Sequence, residues 1–344
     1  MVVIEARYHD SVNVLQEMFD RGSGATCVAA PFDRAEWYAL LTETGLQPLI
    51  AVAKDNGAAV ALALTETNGR ITPLRNWYSF SWRQLAPKNE NGDRLLGQLA
   101  RNLRIRGHRV TLAPVPDEDG SATRLATAFA NAGWRVEVSR CDANHVLEVQ
   151  GRNFADYWAS RPGPLRTTLK RKRKKVDVSV LDHFDAQSWS QYEYIYDASW
   201  KPTECEPAML RAFARAEGAA GRLRLGLAFH EGAPIAAQFW TVENGIAYIH
   251  KLAHLESHRN LSAGTTLSAA LFEHVIDRDR VTLIDFGTGD EPYKADWMEA
   301  TRPRYQIDCI DMRKWRGWVD LGRLALRRSR HANIPKLAPR PWDS

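Results

Sequence analysis

The sequence predicts an α+β protein of two successive units, each built on a mixed, mostly antiparallel twisted sheet flanked by helices. Three observations carry that expectation. The chain has 344 residues, and compact domains run to roughly 150 residues, which suggests two of them. Both halves repeat an order of hairpin, helix and strand. Tight-turn residues join the hairpins, where a doubly wound parallel sheet would need long helical crossovers. Hydrophobic residues at 44% and charged residues at 25% exclude a mostly disordered or collagen-like chain.

In the first half, LIAVAK (49–54) and AAVALALTET (58–67) are apolar runs split by Asp55, Asn56 and Gly57. That is a hairpin signal. Leucines at 95, 96, 99 and 103 lay one stripe along a helix over 93–107, which stops at Gly107. RVTLAPV (109–115) alternates as a strand. A second helix covers 121–133, with Ser121 as cap and Gly133 as stop, and WRVEVSR and NHVLEVQ follow as two strands. The second half repeats this order at greater length. Helices are expected over 188–200 and 207–218, then three strands over 223–253 turning at Glu231-Gly232 and Glu243-Asn244-Gly245. A polar loop (254–264), a helix (265–278), a strand ending in VTLIDFGTGD (281–290) and a last strand (305–312) complete it. The boundary is placed near Gly151, which gives units 1–150 and 151–312 and a basic amphipathic tail, 313–344.

The net charge of +5 is unevenly spread. Residues 161–175 hold eight Lys or Arg and no acid; residues 313–340 hold nine against Asp320 alone. Without these segments, 29 basic face 40 acidic side chains. Two basic patches on an acidic body suit phosphates, nucleic acid or an anionic membrane surface, and equally a solvated face. The tail places Trp315, Trp318 and Leu321 beside Arg323, Arg327 and Arg328. Such a helix can lie on an anionic membrane or cover the protein's own core. No run of 18 apolar residues occurs, and Glu5 and Asp10 stand where a signal peptide needs an apolar centre. A cytoplasmic protein is expected, peripheral at the inner face of the membrane if the tail binds there. The four cysteines, Cys27, Cys141, Cys205 and Cys309, form no CxxC pair and are expected as small buried residues. His254 and His258 lack a third ligand, so no metal is expected.

The most informative stretch is strand, polar loop, helix at 246–278. A helix N-terminus presents unpaired N–H groups and partial positive charge. Gly264 lets the backbone approach a bulky anion, and Arg259 adds a charged contact. Ser262, Ala263, Gly264 and Thr265 therefore read as a phosphate or pyrophosphate site, or else as an ordinary helix start capped by Ser262.

Several pieces in order give this reading a context. Trp200-Lys201 follows a helix. Glu231-Gly232-Ala233-Pro234-Ile235-Ala236 forms a hairpin, and Ser262-Ala263-Gly264-Thr265-Thr266-Leu267 opens the next helix. Asp285-Phe286-Gly287-x-Gly289 precedes Tyr293-Lys294-x-x-Trp297. This order resembles the acyl-CoA-binding half of GNAT acyltransferases, and within them the FemAB-like and CelD-type proteins, which are two GNAT folds in tandem. The loop departs from the CelD-type Ser-Pro-Gly by Ala263.

The resemblance implies an acyl-CoA-dependent N-acyltransferase, with acetyl-CoA or another acyl-CoA as co-substrate. Its acceptor would be a small-molecule amine or a sugar nucleotide, such as an amino sugar of a cell-envelope or exopolysaccharide precursor. Asp285 and His250 are then candidates for the base, and Tyr293 for the acid that protonates the thiolate. Lys294 and Trp200 would bind acceptor, with Tyr248 on the same strand face as His250. Each has a structural alternative: His250 a core histidine, Asp285 a cap on the glycine turn, Tyr293 and Trp200 packing aromatics. Lys170 and Arg173 lie in the basic run, which FemAB-like proteins match with a basic helix meeting a nucleotide-linked acceptor or tRNA. A Fem-type aminoacyl-tRNA-dependent transferase and a non-catalytic GNAT-like binding module are the alternatives.

Overall fold

Strand propensity and turn chemistry build one sheet, described by a computed structural model over residues 6–20, 30–55 and 58–322. The first repeat is β1 (Ala6–His9), α1 (Asn13–Asp20), α2 (Ala35–Glu43), β2 (Leu49–Asp55), β3 (Ala58–Thr67), β4 (Arg70–Pro73), α3 (Glu90–Arg106), β5 (Arg109–Val115), α4 (Ser121–Asn131) and β6 (Arg135–Glu148). Two linking helices follow, α5 (Phe154–Ala159) and α6 (Gly163–Lys172). The second repeat is β7 (Asp177–Leu181), α7 (Ala186–Asp197), α8 (Pro207–Ala219), β8 (Leu223–His230), β9 (Ala233–Glu243), β10 (Ile246–His254), α9 (Ala263–Glu273), β11 (Leu283–Thr288), α10 (Lys294–Trp297) and β12 (Ala300–Ile310). The turn at Asn244-Gly245 has φ of 50° and 75°. That is the positive pair a two-residue hairpin needs to follow strand twist.

All twelve strands join in the order β1-β2-β3-β4-β5-β12-β6-β11-β10-β9-β8-β7. The order is symmetric about its centre, with the last strand of each repeat exchanged. β12 pairs with β5 of the first repeat, and β6 with β11 of the second. β6 and β12 pair with each other along their length, from Ala300 opposite Val146 to Ile310 opposite Arg135. The chain boundary near Gly151 thus falls in a turn after β6, while the two repeats share one continuous sheet. WRVEVSR and NHVLEVQ, expected as two strands, are the single long strand β6, because β12 pairs with both parts and a bulge at Cys141 absorbs the break between them.

Alternation sends side chains to opposite faces, and each face has its own cover. Leu223, Leu225, Leu227 and Phe239 join Trp189 of α7 and Phe213 of α8 in one core. Trp240 and Ala247 join Leu267, Leu271 and Phe272 of α9 in the other. A Cβ on Gly226 would meet Leu271 Cδ1 at 2.8 Å and Leu267 Cδ1 at 2.9 Å, so only glycine lets α9 lie this close to β8. Asn144, Asp285 and Arg304 lock the exchange at its centre. Asn144 donates to Asp285 at 2.6 Å and accepts from Arg304 at 2.5 Å.

Residues 315–322 are helical, with Trp315 and Trp318 exposed. Asp320 faces inward to His108 (3.2 Å) and Arg70. The tail beyond residue 322, with Arg323, Arg327 and Arg328, lies outside the described residues, as does Cys27. Cys309 is buried, whereas Cys141 and Cys205 are exposed, contrary to the expectation of burial. Cys141 is the extra residue of a bulge in β6, without a partner on β12, and Cys205 lies in the α7–α8 loop. No described helix is long and apolar enough to cross a membrane.

Candidate active site

β10 and β11 run parallel for three residue pairs, ending at Tyr248 opposite Asp285, and no pairing continues beyond them. α9 begins at the mouth of the gap. Ser262 precedes it with φ 51° and ψ 42°, and its side chain makes no cap hydrogen bond. The first helical bond runs from Thr266 N–H to Ser262 O at 3.1 Å, so the geometry of a helix start leaves the N–H groups of Ala263, Gly264 and Thr265 without intrahelical acceptors. Gln238 of β9 fixes this turn, donating to Gly264 O at 3.3 Å and Ser268 Oγ at 2.6 Å. A Cβ on Gly264 would find only His254 Cδ2, at 3.5 Å; the position faces open space. That space is a cleft of about 390 Å³ lined by Trp200, His254, Arg259, Gly264, Phe286 and Tyr293 among others. Trp200 packs on the His254 ring at 4.3 Å. Open amides, helix dipole and a neighbouring guanidinium together suit a phosphate group.

The first repeat closes the same place with its own chain. There Asn89 caps α3, accepting from Gly92 N–H at 2.9 Å, and a Cβ on Gly92 would strike Pro87 O at 2.1 Å. Trp82 from the 74–89 loop is buried and donates to Ala63 O at 2.8 Å. One of two equivalent helix starts is open.

Residues 163–295 match a family model described as an acetyltransferase (GNAT) domain. Most of the second repeat is therefore similar to a GNAT domain. Among solved structures, the fold is similar to FemX, at a TM-score of 0.63 and 10% identity, over 89% of this chain and 97% of that one. It is also similar to L-PGS from Bacillus licheniformis, at a TM-score of 0.52 and 10% identity, over 78% of this chain and 85% of that one. These likenesses extend over both repeats of the FemAB-like fold. No curated protein matches the sequence.

Of the residues singled out in the sequence, the second repeat gathers Trp200, Arg259, Ser262, Ala263, Gly264, Thr265 and Tyr293 around its cleft. Burial holds the Tyr293 hydroxyl above its ordinary pKa, so it stays protonated. Lys170 and Arg173 are exposed and do not line the cleft: α6 packs along α9 with Leu165 in the cleft wall and Leu169 buried, and Arg173 pairs with Glu273 (3.7 Å) at the far end of α9.

Four others sit elsewhere in the domain's design. His250 is enclosed by Phe239 (4.8 Å), Phe80 (5.4 Å), Phe213 (5.4 Å) and Phe32 (5.9 Å), and its Nε2 meets Thr241 Oγ1 at 2.8 Å. It is the core histidine of the two readings. Asp285 caps the glycine turn, accepting from Gly287 N–H at 2.7 Å as well as from Asn144. Strand alternation puts it on the face opposite cleft-lining Phe286, so the cap reading replaces that of the base. Lys294 is buried, and its three N–H donors go to Thr288 O (2.6 Å), Gly289 O (3.2 Å) and Glu291 (2.8 Å). None remains for an acceptor molecule. Tyr248 is in the core, its ring 6.4 Å from Phe32.

Burial pushes the His250 pKa down from 6.5 to about 3. The unfolded chain therefore takes up a proton that the folded one refuses. His250 contributes its full stability above about pH 6.5, and this is lost as pH falls towards 3, by up to about 1.4 kcal/mol per pH unit. Guanidinium unfolding at pH 7 and pH 5 is expected to show this fall, and His250→Gln to flatten it. An unchanged slope in the variant would return His250 to the list of solvent-facing groups.

Sequence reading passed over Lys201, although it quoted the dipeptide. Lys201 feels Lys251 on β10 and, across the gap, Glu291 and Lys294 after β11. Burial and the two lysines lower its pKa from 10.5 to about 8. No local pattern signals that shift, because Lys251 and Lys294, which lower it, are distant in sequence. Burial lowers the His254 pKa too, leaving a neutral imidazole beside Gly264.

Proposed function

We propose that this protein transfers an acyl group, acetyl in the first instance, from a CoA thioester to an amine. The open start of α9, in contrast with the self-plugged start of α3, is the observation that carries this reading. The N–H groups of Ala263, Gly264 and Thr265 hold the diphosphate, with Arg259 and the His254 edge beside it. The amine attacks the thioester carbonyl, forming a C–N bond as the C–S bond breaks. Lys201, poised near pH 8, takes the proton from the amine, and Tyr293 gives one to the departing thiolate. An amino sugar of a cell-envelope or exopolysaccharide precursor is the acceptor class the family resemblance points to.

Thermal shift against acetyl-CoA, longer acyl-CoAs and free CoA tests the donor. A ligand that binds the folded state raises the melting temperature by RT ln(1 + [L]/Kd), about 2.7 kcal/mol at 100 times Kd. A rise with thioesters is expected. The exposed cations of α6, which packs along α9, favour one second reading, a polyanionic aminoacyl-tRNA donor. No rise with any thioester, together with salt-sensitive tRNA binding, would replace the first reading by the second.

A further inference from the structure

The helix over 315–322 lies against the first repeat, and none of its residues lines the acyl-transfer cleft. Its inward face is fixed by polar contacts. Asp320 is 1% exposed and meets His108 and Arg70. A Cβ on Gly317 would strike Asp311 O at 2.3 Å, so that edge sits tight on the chain behind it. Just before the helix, Lys314 Nζ donates to Arg104 O at 2.5 Å and Gly107 O at 2.9 Å, at the end of α3.

The outward face is apolar. Trp315 is 72% exposed, Trp318 62% and Val319 43%, and a spacing of three and four residues puts them on one side. Ile105, exposed in the last turn of α3, stands next to the carbonyl that holds Lys314. α5 follows β6 as this helix follows β12, and it does the opposite with its aromatics: Tyr157 stacks on Phe272 at 5.3 Å and Trp158 lies 5.7 Å from Trp297. Exposed apolar clusters of this kind mark interaction surfaces.

Charge selects the partner. Arg313 and Arg316 are exposed and form no ion pair among the described residues. The Arg316 guanidinium lies 5.5 Å from the Trp315 ring centre. The helix's single acid, Asp320, is turned inward and already paired, so no carboxylate of the helix faces out. Residues 323–344 add six Lys or Arg against Asp343 alone. That segment, or a second copy of the chain, would bring further cations to a face that is already basic, and like charges repel. A bilayer of anionic phospholipid offers both complements at once. Indole rings settle at the headgroup level, while guanidinium groups pair with lipid phosphates.

We propose that the 315–322 helix docks this protein on an anionic phospholipid surface, with Trp315 and Trp318 entering the interface and Arg313 and Arg316 meeting phosphates. The proposal is independent of the acyl-transfer reading.

Co-sedimentation of the full chain with vesicles tests it, using equal parts phosphatidylglycerol and phosphatidylcholine against phosphatidylcholine alone. Binding to the anionic vesicles is expected to be at least about tenfold tighter. Arg313→Gln and Arg316→Gln should each weaken it by about fivefold. Trp315→Ala combined with Trp318→Ala should weaken it by at least about tenfold, because the rings supply the apolar area that enters the interface. The melting temperature and the oligomeric mass of that variant without vesicles should match the wild type, since rings facing solvent hold nothing in place. Equal binding to both vesicles, or none, would overturn the proposal. So would anionic binding that the tryptophan variant keeps. A lowered melting temperature or a smaller oligomer in that variant would overturn it too, by showing that protein already covers the rings. Donor binding, read by thermal shift with thioesters, is a separate measurement that none of these outcomes alters.

Discussion

Gly264→Asp is expected to lower acyl-CoA affinity by at least about 100-fold, roughly 2.7 kcal/mol, while the melting temperature of the free protein holds or rises. The two effects have separate causes. A Cβ at this position meets His254 Cδ2 at 3.5 Å, an ordinary contact, and Gly264 does not have a positive φ. Nothing in the free protein resists the change. A carboxylate in the first turn of α9 even complements the helix dipole, worth about 0.3–1 kcal/mol. It also stands where the diphosphate must approach, and like charges that close repel strongly. Thermal shift of wild type and variant, each with and without acetyl-CoA, reads both effects. A variant that binds acetyl-CoA normally would show that the donor does not use this helix start. The equivalent change at Gly92 is expected to unsettle the fold instead, because Pro87 O already fills that position.

Lys201→Met is expected to reduce kcat by about 10²- to 10⁴-fold, the usual range for losing a positioned base, and to change the pH profile. A lysine accepts a proton only when neutral. With its pKa lowered to about 8, wild-type kcat should climb through pH 8 and level off above it. Lys201→Met should lack that limb, and Lys201→Arg should lack it too, since a guanidinium stays protonated. Steady-state rates from pH 6 to 10 distinguish this from loss of a mere positive charge, which Lys201→Arg would restore. A wild-type limb retained in both variants would remove Lys201 from the chemistry.

The helix start of α9 was legible because its signals are local. Gly264 and Ser262 lie within one turn of it, and Arg259 only five residues before Gly264. Tyr293 and Trp200 were legible through the order of their motifs. Sequence left His250, Asp285 and Lys294 each between two readings or without a competitor, since a residue type does not disclose its partners. His250 was decided by four phenylalanines, three of them distant in the chain. Lys294 was decided by carbonyls only five and six residues away, but on a turn whose path depends on β6. Glu204 carries no motif at all; its partners Tyr78 and Lys251 come from the 74–89 loop and from β10.

By itself the sequence determined the α+β class, the repeated order of hairpin, helix and strand, and the glycine-bearing helix start that can grip an anion. Period-two alternation, turn residues with positive φ and helix capping all act within a few residues. The tertiary structure alone decided that β6 and β12 change places, that α3 is plugged where α9 is open, and that Lys201 stands among charges from three separate segments. Those outcomes depend on which surfaces bury one another, and burial and charge proximity are set by distance in space, whatever the separation along the chain.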